Sequence, residues 1–249
     1  MASKTLQRLM EEAPRGQPLD AEMLRDMGIS PQQASYMVSS GWMVRLSRGA
    51  YLLTGDSPSH DGIIAHLSRR VPGLHVGGKT ALDWQTMRHN GHARERVVLW
   101  GNSPYEMASW IDASMLYTYQ TTQIFGDGLP EGAGMEPVPD DNRGVLVSVP
   151  ERALLELASD IGKKGQKGQS LEEALNLMPS LRNLRPHVLD LLLSHCTRVK
   201  VMRLARDLGA AAGHSWACNV QKHLTPRPLQ SLGGLDEQDA RSELAAKAS

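Results

Sequence analysis

The stretch that decides the fold is LDAEMLRDMGISPQQASYMVSSGWMVRLSRGAYLLT, residues 19–54. Gly28 follows a segment of helically spaced apolar residues, which is where a left-handed residue commonly ends a helix. Ser30 can cap the next helix, Pro31 suits its first position, and Gln33 completes a Ser-x-x-Gln capping box. The stretch therefore begins with two helices joined by a tight turn.

A hairpin is predicted once Gly41 has ended the second helix. Its two short strands cover residues 42–46 and 50–53, with a turn between them. On the N-terminal side, Ser3 can cap a first helix that Pro14 ends. The inward face of that helix is predicted to consist of Leu6, Leu9, Met10 and Ala13. Three short helices followed by a hairpin are typical of a winged helix-turn-helix.

The rest of the chain predicts a larger mixed domain after the turn-rich segment GDSPSHD, residues 55–61. The predicted helices cover residues 62–70, a segment that begins near Thr80, and 150–161, 170–178, 185–195 and 198–212. The predicted strands cover 97–100, 117–125 and 144–149, with a loop over 126–144. The fold class is therefore α+β. It combines a winged helix-turn-helix (1–57), a mixed domain with a helical C-terminal part (58–223) and a mobile tail (224–249).

Composition limits the compartment and the core. The chain is 41% hydrophobic with one Phe and 12 Met, so its core must be aliphatic and rich in methionine. No apolar run approaches the roughly 20 residues needed to span a bilayer. The first ten residues lack the apolar core of a signal peptide. The two cysteines, Cys196 and Cys218, have no CxxC spacing, so we expect a reduced, cytoplasmic protein. Because no apolar run is long enough to span a bilayer, we expect no membrane partner.

The outward residues of the second helix predict a nucleic-acid interface. A helix fits the major groove, where Gln32 and Gln33 could each offer a donor and an acceptor to adenine. The remaining members of this recognition face suit phosphate or water-bridged contacts; they are Ser35, Tyr36, Ser39 and Ser40. The wing arginines, Arg45 and Arg48, suit phosphates or a minor groove. Because residues 1–56 hold six basic and six acidic residues, a winged helix that binds protein instead remains an alternative.

A second basic surface is predicted in the larger domain, although the net charge of the chain is zero. Residues 162–206 contain nine Lys or Arg against three Asp or Glu. Val201, Leu204, Ala205 and Leu208 keep the spacing of a buried stripe, so basic residues between them face water. We define the second basic surface as Lys163, Lys164, Lys167, Lys200, Arg203 and Arg206. It suits DNA or an acidic partner, and an unevenly charged solvated face is the alternative.

Other motifs predict no catalytic residues, no metal and no cofactor. Residues 73–80, GLHVGGKT, match the phosphate-loop pattern, but the segment before them is predicted as a helix and not as the required strand. A tight glycine turn into the next helix is therefore favoured. His89 and His92 lack the further ligands of a tetrahedral metal site. Asp83 and Glu95 match a nuclease by residue type alone, and no Glu-x-Lys follows them, so a nuclease site is not predicted.

Several separate blocks of the sequence occur in the order found in one known family. They are GWMVRLSRGAYLLTGD, HVGGKTALDWQ, VVLWGN, VPERALLELASD and RVKVMRLARDLGAAAGHSW, within residues 3–222. The chain resembles the AbiEi-type antitoxins of bacterial abortive-infection toxin–antitoxin systems, which act in phage defence. Family members carry a similar Gly-Trp and Arg-Gly-x-Tyr wing and a basic surface in the second domain.

The resemblance implies a non-enzymatic transcriptional repressor with two partners. The first is operator DNA of its own promoter, expected as inverted repeats and bound for autoregulation. The second is a nucleotidyltransferase-like toxin, which the larger domain counteracts directly or indirectly. The alternative is an inhibitor that sequesters the toxin directly and uses the winged helix for assembly. A third hypothesis, an enzyme of nucleotide chemistry built on Lys79, predicts nucleotide binding that depends on this lysine.

Overall fold

The computed structural model describes residues 2–86, 96–138, 143–165 and 168–225, with side chains from residue 5 onward. The predicted mobile tail lies outside the described residues from position 226. His89, His92, Glu95 and Lys167 also lie outside them.

Helices and short strands alternate along the described residues, and the helices dominate the C-terminal part. The helices are α1 (Ala2–Glu12), α2 (Ala21–Asp26), α3 (Pro31–Ser39), α4 (His60–Ser68), α5 (Gly78–Thr86), α6 (Ser109–Ser114), α7 (Pro150–Asp160), α8 (Leu171–Leu177), α9 (Pro186–His195), α10 (Val199–Ala211) and α11 (Ala217–Leu224), and a 3₁₀ helix covers Met178–Leu181. The strands are β1 (Leu19–Asp20), β2 (Met43–Ser47), β3 (Ala50–Leu53), β4 (His75–Val76), β5 (Val97–Trp100), β6 (Tyr117–Gln120), β7 (Met135–Pro137) and β8 (Leu146–Ser148). No helix among the described residues is long and apolar enough to cross a membrane.

The N-terminal helices pack on a three-stranded antiparallel sheet of order β1-β3-β2. Their shared core is aliphatic and consists of Leu9, Ala13, Leu19, Leu24, Met27, Ile29, Ala34, Met37, Met43 and Leu53. Met10, predicted to face inward, is 38% exposed, because the buried side of α1 is formed by Leu9 and Ala13. This unit has the helix order and the hairpin of a winged helix.

Local hydrogen bonds explain why α2 and α3 meet at a tight turn. Asp20 caps α2 and accepts from the N–H groups of Glu22 and Met23. Gly28 has φ 77°, a left-handed conformation that a side chain would strain. Ser30 and Gln33 form the predicted capping box at the start of α3. The predicted order of helix, tight turn and helix is therefore observed at these positions.

The second unit is built on a five-stranded mixed sheet of order β6-β5-β4-β8-β7. Helix α7 packs against α5, α9 and α10 and lies at the centre of the larger core. Ala153, Leu154 and Leu155 on this helix are completely buried. The core contains no buried Phe or Tyr among the described residues. It is mainly aliphatic with three buried methionines, as composition required, and it also contains the buried Trp100 and Trp216.

The structure corrects several predicted boundaries in this unit. The strand predicted over 117–125 ends at Gln120, because its partner β5 ends at Trp100, which pairs with Gln120. The loop predicted over 126–144 contains β7, which pairs with β8. Helix α4 begins before the predicted position, because Ser59 caps it and accepts from Gly62 N.

Candidate nucleic-acid interface

Helix α3 presents a polar face to solvent because its two buried residues, Ala34 and Met37, point into the N-terminal core. All six predicted members of the recognition face are exposed; they are Gln32, Gln33, Ser35, Tyr36, Ser39 and Ser40. Tyr36 is 66% exposed, so its ring and hydroxyl are accessible to a partner.

Hydrogen bonds within α3 divide this face into engaged and free groups. Gln33 Oε1 accepts from Ser30 N at 2.8 Å, so its acceptor already serves the cap. The hydroxyl of Ser35 donates to Pro31 O, and that of Ser39 donates to Tyr36 O. Within the described part of the chain, no side-chain hydrogen bond engages Gln32 or Tyr36. These two side chains can therefore meet a base edge without first breaking a helix contact, and so can the shorter side chain of Ser40, whose hydroxyl is also unengaged among the described residues.

The wing arginines are exposed on either side of a backbone irregularity. The pairing of β2 with β3 shifts register between Arg45 and Ser47. Arg45 Nε donates to Ser47 O at 3.4 Å, and its guanidinium carbon lies 6.0 Å from the Tyr51 ring centroid. Neither Arg45 nor Arg48 has an acidic partner among the described residues, so both charges remain available to phosphate.

The balanced charge of the N-terminal unit is distributed unevenly in space. Asp20 accepts from Arg69 Nε at 2.9 Å, and Glu22 lies 3.5 Å from the same guanidinium. Asp56 pairs with Arg15, and Glu12 pairs with Arg8. Four of the six acids are thus paired with arginines, while the wing arginines are not. The equal counts of acids and bases therefore do not argue against an anionic partner at the wing.

The six residues of the second basic surface differ in how free their charges are. Lys163 Nζ is 2.7 Å from Asp160 Oδ1 and also lies 5.4 Å from the Trp100 ring centroid. Arg206 donates to Asp207 and to Gln221. Exposed cations without such contacts in the described residues are Lys164, Lys200 and Arg203. Fewer of these charges are therefore available to a partner than the sequence suggests.

The glycine motif at 73–80 encloses a buried carboxylate. Strand β4 lies inside the motif, and α5 begins at Gly78. The Gly78 N–H, which a phosphate would need, donates to Glu156 Oε2 at 2.9 Å. A Cβ at Gly77 would collide with the same carboxylate oxygen. Lys79 points toward Glu173, with 3.6 Å between Nζ and Oε1. The motif is therefore a close approach of backbone to Glu156, as the glycine-turn interpretation requires.

Glu156 is the centre of a network that sequence reasoning missed. It is completely buried on α7, and both of its oxygens are satisfied. Oε1 accepts from His75 Nε2 and Arg152 Nε, and Oε2 accepts from Ser148 Oγ and Gly78 N. Burial alone would raise its pKa, but the charges and hydrogen bonds of His75 and Arg152 lower the pKa to about 2. An acid inside the apolar run LLELAS was the available signal.

A second buried glutamate joins two helices of the second unit. Glu151, also buried, accepts from Arg185 N at 2.6 Å and from Arg185 Nη2 at 3.0 Å, which joins α7 to the start of α9.

A surface pocket of about 500 Å³ is lined by Leu175, Met178, Pro179, Arg182, Ala211, Ala212 and His214. Within the described ranges, no three His, Cys, Asp or Glu residues are placed to hold a metal ion.

Comparisons with known proteins match both units of the chain. The family model described as "Transcriptional regulator, AbiEi antitoxin N-terminal domain" matches residues 2–92. The model described as "Transcriptional regulator, AbiEi antitoxin, Type IV TA system" matches residues 94–228. No curated protein sequence matches significantly.

A solved structure shares the fold. The crystal structure of the RV2827C protein from Mycobacterium tuberculosis superimposes with a TM-score of 0.56 and 16% identity, covering 91% of this chain and 81% of that one. At this identity the likeness shows the mixed α and β fold alone. The two family matches together span nearly the whole sequence. The chain belongs to the AbiEi family of antitoxins and transcriptional regulators of type IV toxin–antitoxin systems.

Proposed function

We propose that this AbiEi-family regulator represses its own operon by placing α3 in the major groove of its promoter. Residues 1–57 would act as the DNA-binding domain and 58–223 as the antitoxin domain. The observation that carries the proposal is the exposed pair Gln32 and Tyr36, unengaged in the described structure and accompanied by two unpaired wing arginines.

The chemistry of the recognition face assigns different tasks to its members. The amide of Gln32 offers one donor and one acceptor, which match adenine N7 and N6. Gln33 would have to open its capping box to do the same, so its free Nε2 suits a single contact. The hydroxyl protons of Ser35 and Ser39 are used within α3, so these groups suit water-bridged contacts. Inverted repeats would place two copies of α3 one helical turn apart.

Titration of the promoter that precedes its own reading frame tests this assignment. Gln32→Ala and Tyr36→Ala should each weaken specific binding by about 1–3 kcal/mol, because each removes a contact to a base. The matched control is Gln7→Ala, an exposed glutamine on α1 that bonds to Glu11 within its own helix. Wild-type affinity in both α3 variants would remove these residues from the interface.

For the larger domain we propose neutralisation of a nucleotidyltransferase-like toxin in an abortive-infection system. The free cations Lys164, Lys200 and Arg203 support this role, because an acidic surface or a nucleic acid bound to the toxin would complement them. Replacing Lys200 and Arg203 together with Ala should abolish rescue of toxin-expressing cells. Arg206→Ala is the matched control, since its charge is already held by Asp207. Unchanged rescue in the double variant would leave this surface as a solvated face.

One observation favours the alternative in which the winged helix serves protein assembly. Trp42 is 45% exposed and Val44 is 49% exposed, and Val44 lies on β2 at the edge of its sheet. Exposed apolar groups beside an unpaired strand edge suit a protein partner. Two results would favour this second function. The wild-type protein would co-purify with the toxin while Trp42→Ser would not, and the wild-type protein would not shift promoter DNA at moderate salt.

A further inference from the structure

We infer that the second unit clamps the wing through Arg70 and Trp110, so that these two residues position the wing for DNA without belonging to the recognition helix. This inference rests on the proposed repressor function. It concerns the turn between β2 and β3, which carries Arg48.

Arg70 holds the backbone of the wing turn. Its Nη1 donates to the carbonyl oxygen of Gly49 at 3.2 Å. Gly49 has φ 74°, so the turn depends on a left-handed residue at this point. Arg70 follows α4, whose Ile63, Ile64 and Leu67 are buried in the larger core. The hydrogen bond therefore ties the wing turn to a rigid helix of the other unit.

Trp110 bonds to a second residue of the same turn, Ser47, which precedes Arg48. Its Nε1 donates to Ser47 Oγ at 3.3 Å. The indole is fixed in turn by the buried His66, whose ring centre lies 5.8 Å away in an edge arrangement. His66 Nδ1 donates to the carbonyl oxygen of Pro18, next to β1. Ser47 and Gly49 are thus bonded from two elements, α6 and the end of α4.

The base of the winged helix is attached to the same helix α4. A Cβ at Gly62 would overlap the carbonyl of Gly16, so the two backbones are in close contact. Ser59 N donates to Gly16 O at 2.8 Å. Arg69 bonds to Asp20, the residue that caps α2. With the base and the tip of the unit both fixed to α4, the wing cannot move independently of the larger core.

The clamp would matter for binding because a wing that is already ordered loses less entropy when it contacts DNA. Strand β2 lies at a sheet edge and, among the described residues, pairs on one side only, with β3. Two added hydrogen bonds would hold Arg45 and Arg48 in place. The clamp therefore predicts that operator affinity depends on a tryptophan outside the winged helix.

The test measures hydrogen exchange of residues 43–53 and operator affinity in the full-length protein. Trp110→Phe keeps the ring and removes the donor, and Arg70→Lys keeps the charge and removes the guanidinium. The matched controls are Trp84→Phe, a half-buried tryptophan on α5, and Arg182→Ala, an exposed arginine on the surface pocket. Strands β5 and β6 serve as an internal reference for exchange that reflects global stability.

Both clamp variants should accelerate exchange in the wing relative to β5 and β6. Both should weaken operator binding about threefold to tenfold, as expected for one lost hydrogen bond, with an unchanged salt dependence. Wild-type exchange in the wing of both variants would overturn the clamp. Weakened operator binding without faster exchange would also overturn it, because Arg70 would then act on DNA directly.

The failure of the clamp can be distinguished from failure of the repressor function. If the wild-type protein binds no promoter DNA, the proposed function is wrong, and the exchange measurement still decides whether the second unit orders the wing. If the wild-type protein binds and both clamp variants match it in both measurements, only the clamp is wrong.

Discussion

The start of α3 and the start of α5 are both glycine-preceded helix N-termini that resemble binding motifs in sequence, and they differ in what fills them. At α3, Ser30 and Gln33 close the terminus locally, and the outward face beyond them stays open. At α5, Glu156 arrives from a helix 78 residues away and takes the Gly78 N–H. The chain therefore closes both termini itself, and at α5 it supplies the anion that a phosphate would have provided, whereas the outward face of α3 is left to a partner.

The largest expected effect comes from removing the anion at α5. Glu156→Leu would leave His75, Arg152 and the Gly78 N–H without their buried acceptor. We expect a loss of about 3–5 kcal/mol in the free energy of unfolding, measured by urea denaturation. Glu173→Leu, which removes an exposed partner of Lys79, is the matched control and should change little. Near-wild-type stability of Glu156→Leu would mean that the network does not hold the second unit together.

Acid should remove the same contribution reversibly. The folded-state pKa of Glu156 is about 2, below its ordinary value of 4.5. Its stabilisation is therefore complete above pH 4.5 and is lost as the pH falls toward 2, on the order of 3 kcal/mol in total. Unfolding midpoints measured across this range should fall in the wild type. A Glu156→Gln variant should show a flatter profile, and equal slopes would contradict the assignment.

Asp160 should contribute in the opposite direction at milder pH. Burial raises its pKa to about 6 from 3.8, although Lys163 donates to its carboxylate. The charged form is thus disfavoured in the folded state, and the cost is relieved as the pH falls from above 6 toward 4. We expect stability to rise in this interval in the wild type and less so in Asp160→Asn. A wild-type profile identical to that of Asp160→Asn would contradict it.

The local cap of α3 should give a smaller effect. Ser30→Ala removes one side of the capping box and should lower the free energy of unfolding by about 1 kcal/mol. Gln33→Glu preserves the Ser-x-x-Glu form of the box and should leave stability nearly unchanged. It also adds a negative charge at the recognition face, so operator binding should weaken in this variant. If Gln33→Glu binds the operator as tightly as the wild-type protein does, the DNA does not contact this face of α3.

The smallest effect is expected at Lys79, the residue that the phosphate-loop pattern makes prominent. Its ion pair with Glu173 is exposed, so Lys79→Ala should change the free energy of unfolding by less than about 0.5 kcal/mol. Isothermal titration with ATP should give no binding in either protein. Nucleotide binding by the wild-type protein that is lost in Lys79→Ala would support the enzyme hypothesis. It would also show that Glu156 does not close the N-terminus of α5 to phosphate.

What the sequence could predict was local. The cap of α3, the strand at β5 and the helices α7 to α10 follow from spacing and capping residues within a few positions, whereas α11 was not predicted. Strands β1, β4 and β7 contain two or three residues, too few for a period, and exist because distant strands pair with them. Their positions depend on tertiary contacts.

The candidate site shows the same division. Exposure of the recognition face followed directly from the helical period of α3. The engagement of Gln33 in the cap also followed, from the Ser-x-x-Gln spacing. The hydrogen bonds of Ser47 and Gly49 did not, because their partners Trp110 and Arg70 lie 63 and 21 positions away in the sequence. The pairing of His75 with Glu156 joins residues 81 positions apart and had no local signal beyond an acid in an apolar run. The number of charged residues can be read from the sequence, but the structure was needed to show which of those charges lack a partner.

Hydroxyl-radical footprinting of the protein's own promoter tests the central claim most directly. Wild-type protein should protect two half-sites about one helical turn apart, and a Gln32→Ala, Tyr36→Ala double variant should lose both protections while remaining folded. Equal protection by the double variant, or no protected site with the wild-type protein at moderate salt, would contradict the assignment of α3 to operator DNA.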